Sequence, residues 1–196
     1  RTRLKVGVVE LAPFSEVLRV PGLIDFDQQR MARLSAPVTG RVTDISATVG
    51  QAVKPGDVLA RLHSTELGHA QLAFLKARAQ SQLQAENQER ARLLFAADVI
   101  GKAELQRREN EYAIAAAEAR GASDQLRVLG MSAGSIAQMS KNGEINSTLP
   151  IVSTLRGALV EFKVAPGQVV QPTDTLFTVA DLSRVWAVAD VPEQQA

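Results

Sequence analysis

Hydrophobic and polar residues follow two rhythms along the chain, and the switch between them divides it. Between Arg33 and Leu62 the apolar positions Val38, Val42, Ile45, Val49, Val53, Val58 and Leu59 fall in short runs broken at Pro37, Gly40, Gly50 and Pro55-Gly56. Alternation with turn residues at the breaks predicts four short strands, each with one face toward a core. From Ser64 to Leu129 proline is absent, and Ala, Leu, Gln, Glu and Arg dominate, all good helix formers. Ser64 is placed to cap a helix and Glu66 suits its first turn. Asp98-Val99-Ile100-Gly101 is the one interruption, and Gly130 is the expected stop. Two helices of about 30 residues follow, each ~45 Å long at 1.5 Å per residue.

A three-and-four spacing tests whether these helices pair. In the first it selects Leu67, Ala70, Phe74, Ala77, Ser81, Gln84, Gln88, Ala91 and Phe95. In the second it selects Leu105, Arg108, Tyr112, Ala115, Ala119, Ala122, Leu126 and Leu129. Folded about the interruption, Phe95 faces Leu105, Ser81 faces Ala119 and Phe74 faces Leu126. The seam is apolar at both ends and small or polar between, which predicts a thin antiparallel coiled coil.

After the helices the strand rhythm returns, and it returns as a copy. Gly40, Gly50, Gln51, Val53, Pro55, Asp57 and Leu59 recur as Gly157, Gly167, Gln168, Val170, Pro172, Asp174 and Leu176, each 117 positions on. Repetition of turn formers at one offset predicts two matching β-halves, with Gly40, Gly50, Pro55, Gly157, Gly167 and Pro172 serving turns. Neither half buries its apolar face alone, so each is expected to cover the other. Lys5–Leu11 and Val17–Val20 are expected strands, broken by Pro13 and Pro21-Gly22, and Leu182–Val191 is another that belongs with them. Ser132–Met139 suggests a short helix, and Ser140–Leu149 a polar, turn-like return.

Composition narrows the function classes. Formal net charge is +1 and aromatic residues are 4% of the chain, which removes a global field for nucleic acid and a base-stacking surface. The absence of cysteine removes thiol catalysis, thiolate metal sites and disulfides. No run of about 18 apolar residues is present. The chain starts at Arg1 and reads as a fragment, for which a leader, lipid anchor or membrane helix is expected in front.

Two β-halves split by a helical hairpin resemble the periplasmic adaptor (membrane fusion) proteins of resistance–nodulation–division (RND) efflux systems, over nearly the whole chain. The likeness to the heavy-metal cation branch is carried by Leu129-Gly130-Met131-Ser132 to Ile136, by Pro166-Gly167-Gln168-Val169-Val170-Gln171-Pro172, and by Leu176-Phe177-Thr178-Val179-Ala180-Asp181-Leu182-Ser183-Arg184-Val185-Trp186. The resemblance implies an elongated mixed α and β protein. A lipoyl/biotinyl-like β-sandwich (35–63 and 147–181) would be split by the α-helical hairpin (64–130). A short helix and connector (131–146) would follow, with partial β-barrel strands at 1–34 and 182–196. It also implies an inner-membrane RND transporter and an outer-membrane channel protein as partners, self-association as a hexamer, and a periplasmic, inner-membrane-associated location. Nucleic acid is not an expected partner. In the family a hairpin-tip motif of Arg, Leu four residues on and Ser seven beyond docks the channel. Here Arg90 and Leu94 match, and Gly101 replaces the Ser. Val99 and Ile100 add apolar knobs, and Gly101-Lys102-Ala103-Glu104 keeps the Glu of a Ser-x-x-Glu capping box.

Other chemistry is thin. A swinging-arm carrier presents one lysine where the two halves join, but the hairpin occupies that joint and Lys54 lies in another turn. His63, Glu66 and His69 are weak metal candidates, since Glu66 and His69 share a helix face. Met31, Met131 and Met139 look scattered and suit packing. No catalytic constellation or phosphate-cradling loop is seen, so neither an enzyme nor a cofactor is expected. The rival readings are an adaptor for an ABC-type or drug exporter, and a biotin- or lipoyl-carrier subunit.

Overall fold

The computed structural model describes Gly7 and residues 18–191. Ten strands, three α-helices and one 3-10 turn are laid out in the order the two rhythms predict. The first half holds β1 (Gly22–Phe26), the 3-10 turn Gln28–Arg30, β2 (Met31–Ser35), β3 (Gly40–Ile45), β4 (Ala52–Val53) and β5 (Val58–His63). Helices α1 (Thr65–Ala96), α2 (Lys102–Val128) and α3 (Ala133–Asn142) come next. The return is β6 (Thr148–Val152), β7 (Gly157–Phe162), β8 (Val169–Val170), β9 (Thr175–Ala180) and β10 (Val185–Ala189). The bounds of β6 to β9 are those of β2 to β5 displaced by the offset of the sequence repeat.

The halves do not form one sheet each. One four-stranded sheet runs β2-β9-β7-β4 and the other β6-β5-β3-β8, so each takes two strands from each half. The two orders are the same order under exchange of the halves. Hydrogen bonds repeat with it: the Gly167 and Val42 amides donate to Val42 and Gln168 carbonyls at 2.7 and 2.9 Å, while the Gly50 and Leu159 amides donate to Leu159 and Gln51 carbonyls at 2.8 and 2.9 Å. Val42, Val53, Leu59 and Leu62 pack from one half, and Leu159, Val170, Leu176 and Phe177 from the other, all essentially inaccessible to solvent.

Each repeated residue has a physical task. Gly50 and Gly167 adopt φ of 86° and 85°, a region that costs other L-residues roughly 1–2 kcal/mol. The side-chain oxygens of Gln51 and Gln168 accept the Thr48 and Ala165 amides, each at 3.0 Å. Asp57 and Asp174 accept the Lys54 and Gln171 amides, each at 2.8 Å. Gly40 and Gly157 are not turn residues: they open β3 and β7. A Cβ on Gly40 would stand 2.5 Å from the His63 carbonyl oxygen, and one on Gly157 would strike that of Ala180. Their glycines permit close strand approach rather than an unusual dihedral.

Differences from expectation cluster at the ends and at proline. Residues 18–20 of the expected Val17–Val20 strand pair with no other strand among the described residues, and Val17 lies outside them. Lys5–Leu11, apart from Gly7, lies outside the described residues. Instead β1 pairs antiparallel with β10, from Gly22 opposite Ala189 to Phe26 opposite Val185. No closed barrel forms among the described residues. The period-2 signal missed β1 because Leu23, Ile24 and Phe26 do not alternate, and every β1 position is exposed. Strand β6 went unseen because of Pro150, which a sheet tolerates at an edge strand such as this one. Helix α3 runs three residues beyond Met139, capped by Ser132, whose hydroxyl accepts the Ser135 amide at 3.1 Å.

Candidate docking site at the hairpin tip

The hairpin is built as the apolar spacing predicts. Ser64 caps α1, its hydroxyl accepting the Leu67 amide at 3.4 Å. The selected seam positions are buried or half-buried except Phe95, which is 38% exposed. Arg92 on α1 pairs with Glu109 on α2 at 3.5 Å, a register that also sets Ser81 and Ala119 along one groove between the helices. At its far end α2 closes with a Schellman motif: Gly130, at φ 91°, donates to Arg127 and Met131 donates to Leu126.

The tip repeats that motif with a residue that is not glycine. Asp98 takes φ 58°, its amide donates to the Phe95 carbonyl at 3.0 Å, and the Val99 amide donates to that of Leu94 at 2.9 Å. The chain then enters α2 at Gly101, which supplies no side-chain cap. The expected capping box is not made. Glu104 turns instead to Arg107, at 3.0 and 2.7 Å, and to Arg108, at 2.9 Å. Hydrogen bonding from Arg107, then from Arg108, holds the Glu104 carboxyl below its ordinary value, and the same pairing raises Arg107. Two guanidinium groups on one carboxylate outcompete a single backbone amide that water also satisfies.

Arg90, Leu94, Val99, Ile100 and Gly101 are brought together here, in the last turns of α1, the loop and the start of α2. Arg90 is exposed and makes no ion pair among the described residues, so neither Glu86 nor Glu89 holds it. Val99 is 65% exposed, Leu94 37%, and Ile100 half-buried. Spacing overlooked Leu93, which at 64% is more exposed than Leu94. Its position off the seam is the signal that could have found it.

The remaining candidates are not gathered into a site. His63 ends β5, while Glu66 and His69 lie on α1, all three exposed. No group of three or more His, Asp or Glu side chains able to hold a metal is found among the described residues. Lys54 sits in the turn that the Asp57 carboxylate closes. Met131 and Met139 pack as expected, Met139 within the core and Met131 against it, and both come together to line a cavity at the hairpin base with Gln71.

Two sheets that exchange strands, parted by an inserted helical hairpin, define a barrel-sandwich hybrid. The chain belongs to the CzcB-like barrel-sandwich hybrid domain family, whose model matches residues 30–181. It is 27% identical over 187 residues to the cobalt-zinc-cadmium resistance protein CzcB of Cupriavidus metallidurans, covering 93% of this chain and 34% of that protein. It is 30% identical over 186 residues to the nickel-cobalt-cadmium resistance protein NccB of Alcaligenes xylosoxydans xylosoxydans, covering 95% and 42%. The chain thus spans between a third and a half of the curated relatives it matches. The crystal structure of ZneB from Cupriavidus metallidurans superposes with a TM-score of 0.65 at 28% identity, over 89% of this chain and 70% of that one.

Proposed function

We propose that this chain is the sandwich-and-hairpin part of a periplasmic adaptor subunit. It bridges an inner-membrane, proton-driven RND pump to an outer-membrane channel, supports efflux of heavy-metal cations and catalyses nothing itself. The observation that carries this reading is the hairpin tip, where Leu93, Leu94 and Val99 stand in solvent beside an uncommitted Arg90. A forked guanidinium flanked by apolar knobs suits carbonyls and carboxylates on a partner helix end. The names of the relatives, resistance proteins for cobalt, zinc, cadmium and nickel, support the cargo class. In this reading 35–63 with 147–181 form the sandwich, 64–130 the spacer and 131–146 a connector. The end segments 1–34 and 182–196 belong to a barrel on the pump side. Six copies in a ring would turn a weak tip contact into a firm one.

The test is metal tolerance of cells carrying Arg90→Ala with Leu94→Ser in the full-length protein. Loss of tolerance to divalent metals at normal protein level is the expected result. Unchanged tolerance would remove the tip from the mechanism.

A further inference from the structure

The cavity at the hairpin base has chemistry that the tip does not use. It measures about 320 Å³, well above the ~30 Å³ share of one water in the liquid and at the small end of the roughly 300–1,000 Å³ of small-molecule sites. Its wall is drawn from across the chain: Arg61 on β5, Gln71 on α1, Met131 before α3, Met139 on α3, Glu144 after it and Pro150 on β6. Gln71 is only 1% exposed, and its orientation is fixed. The side-chain amide donates to the Asn146 carbonyl at 2.8 Å and to Met131 Sδ at 3.3 Å. Turned over, its oxygen would face the Asn146 carbonyl, acceptor against acceptor. Oε1 is thereby held as an acceptor, and among the described residues it has no donor. A buried acceptor is costly to leave alone, so this wall calls for a donor.

Two opposite charges share the wall without meeting. Arg61 and Glu144 are both exposed, and neither makes an ion pair among the described residues. Asp44, the cross-strand neighbour of Arg61, accepts the Ser46 hydroxyl instead. Met131, Met139 and Pro150 add apolar surface. A bare cation suits this wall poorly. Glu144 is its one carboxylate among the described residues, Arg61 repels a cation, and the Met131 sulfur already accepts the Gln71 amide. A bare anion meets Glu144. A ligand carrying both charges satisfies both: a carboxylate for the guanidinium fork, and an ammonium as donor to Gln71 Oε1 and counter-ion to Glu144. An apolar body would rest on the two thioethers.

We propose that this cavity binds a free amino acid with an apolar side chain, held as the zwitterion. It lies roughly 30 Å along α1 from the tip at 1.5 Å per residue, so its occupancy does not depend on docking there. Calorimetric titration of the full-length protein with L-leucine should give saturable, one-to-one binding. N-acetyl-L-leucine lacks the ammonium and L-leucinamide lacks the carboxylate, and each should bind at least about tenfold more weakly. Arg61→Gln and Glu144→Gln, at exposed positions that leave the core intact, should weaken leucine binding to the same degree. Lys141→Gln, which is exposed and outside the wall, should not. The absence of a saturable response to leucine overturns the proposal. So does leucine binding indifferent to both wall variants, or equal binding of the blocked analogues, which would mean apolar filling alone. Binding of Zn²⁺ or Ag⁺ that Glu144→Gln abolishes, with no response to leucine, would make this a metal site and overturn it too.

Discussion

At the scale of single residues, the two kinds of repeated glycine should fail in different ways. Gly167 sits at φ 85° with nothing near an added Cβ, so Gly167→Ala meets only a dihedral penalty of roughly 1–2 kcal/mol. Gly157 has an ordinary φ, but its Cβ would strike the Ala180 carbonyl. Relief there requires β7 and β9 to part, so Gly157→Ala should cost more, upward of about 2 kcal/mol. Urea unfolding of both variants checks this, and equal losses would remove the distinction. Both glycines were visible in the sequence as repeated positions. Which served a turn and which a close approach was not, because the carbonyl that crowds Gly157 comes from a residue 23 positions away, Ala180.

At the scale of elements, the hairpin depends on its ends as much as on its seam. The Glu104 carboxyl titrates below its ordinary value because Arg107 and then Arg108 bond it. A group whose folded value is depressed supports the fold above the unfolded value and loses that support as pH falls through the folded one. Helicity measured by circular dichroism should therefore drop between neutral pH and acid at the start of α2, and Glu104→Gln should flatten that part of the profile. A profile identical in the two proteins would count against the cluster. The group is solvent-exposed, so added salt should shrink the effect. Helix pairing itself was legible from Phe74, Ala115 and Leu126, all buried as their spacing predicts. The destination of Glu104 was not, since a capping box and a pair of arginines compete for one carboxylate and only geometry decides between them.

At the scale of the whole molecule, strand exchange makes the two halves one folding unit. Removing either half takes two strands from both sheets, whereas removing the hairpin takes none. The sandwich ends nearly touch, with the Ser64 amide on the Ser147 carbonyl. A chain with 65–146 replaced by a short Gly-Ser link should keep its β-sheet signal and unfold in one transition. Its melting temperature should be lower, because Leu67, Leu126, Leu129, Ile136 and Met139 also cover the core. Loss of the sheet signal would make the hairpin base an obligatory part of the sandwich.

The sequence by itself determined the two rhythms, the 117-residue repeat and the insertion between its copies, because periodicity and turn chemistry are local properties. It therefore determined a sandwich split by a hairpin, and which residues stand at the tip. Only the tertiary structure decided that the halves trade strands, that Gly40 and Gly157 yield to carbonyls, and that the Gln71 side chain on α1 reaches the Asn146 carbonyl. Each of these joins residues far apart in the chain, and no local pattern encodes which distant backbone will arrive.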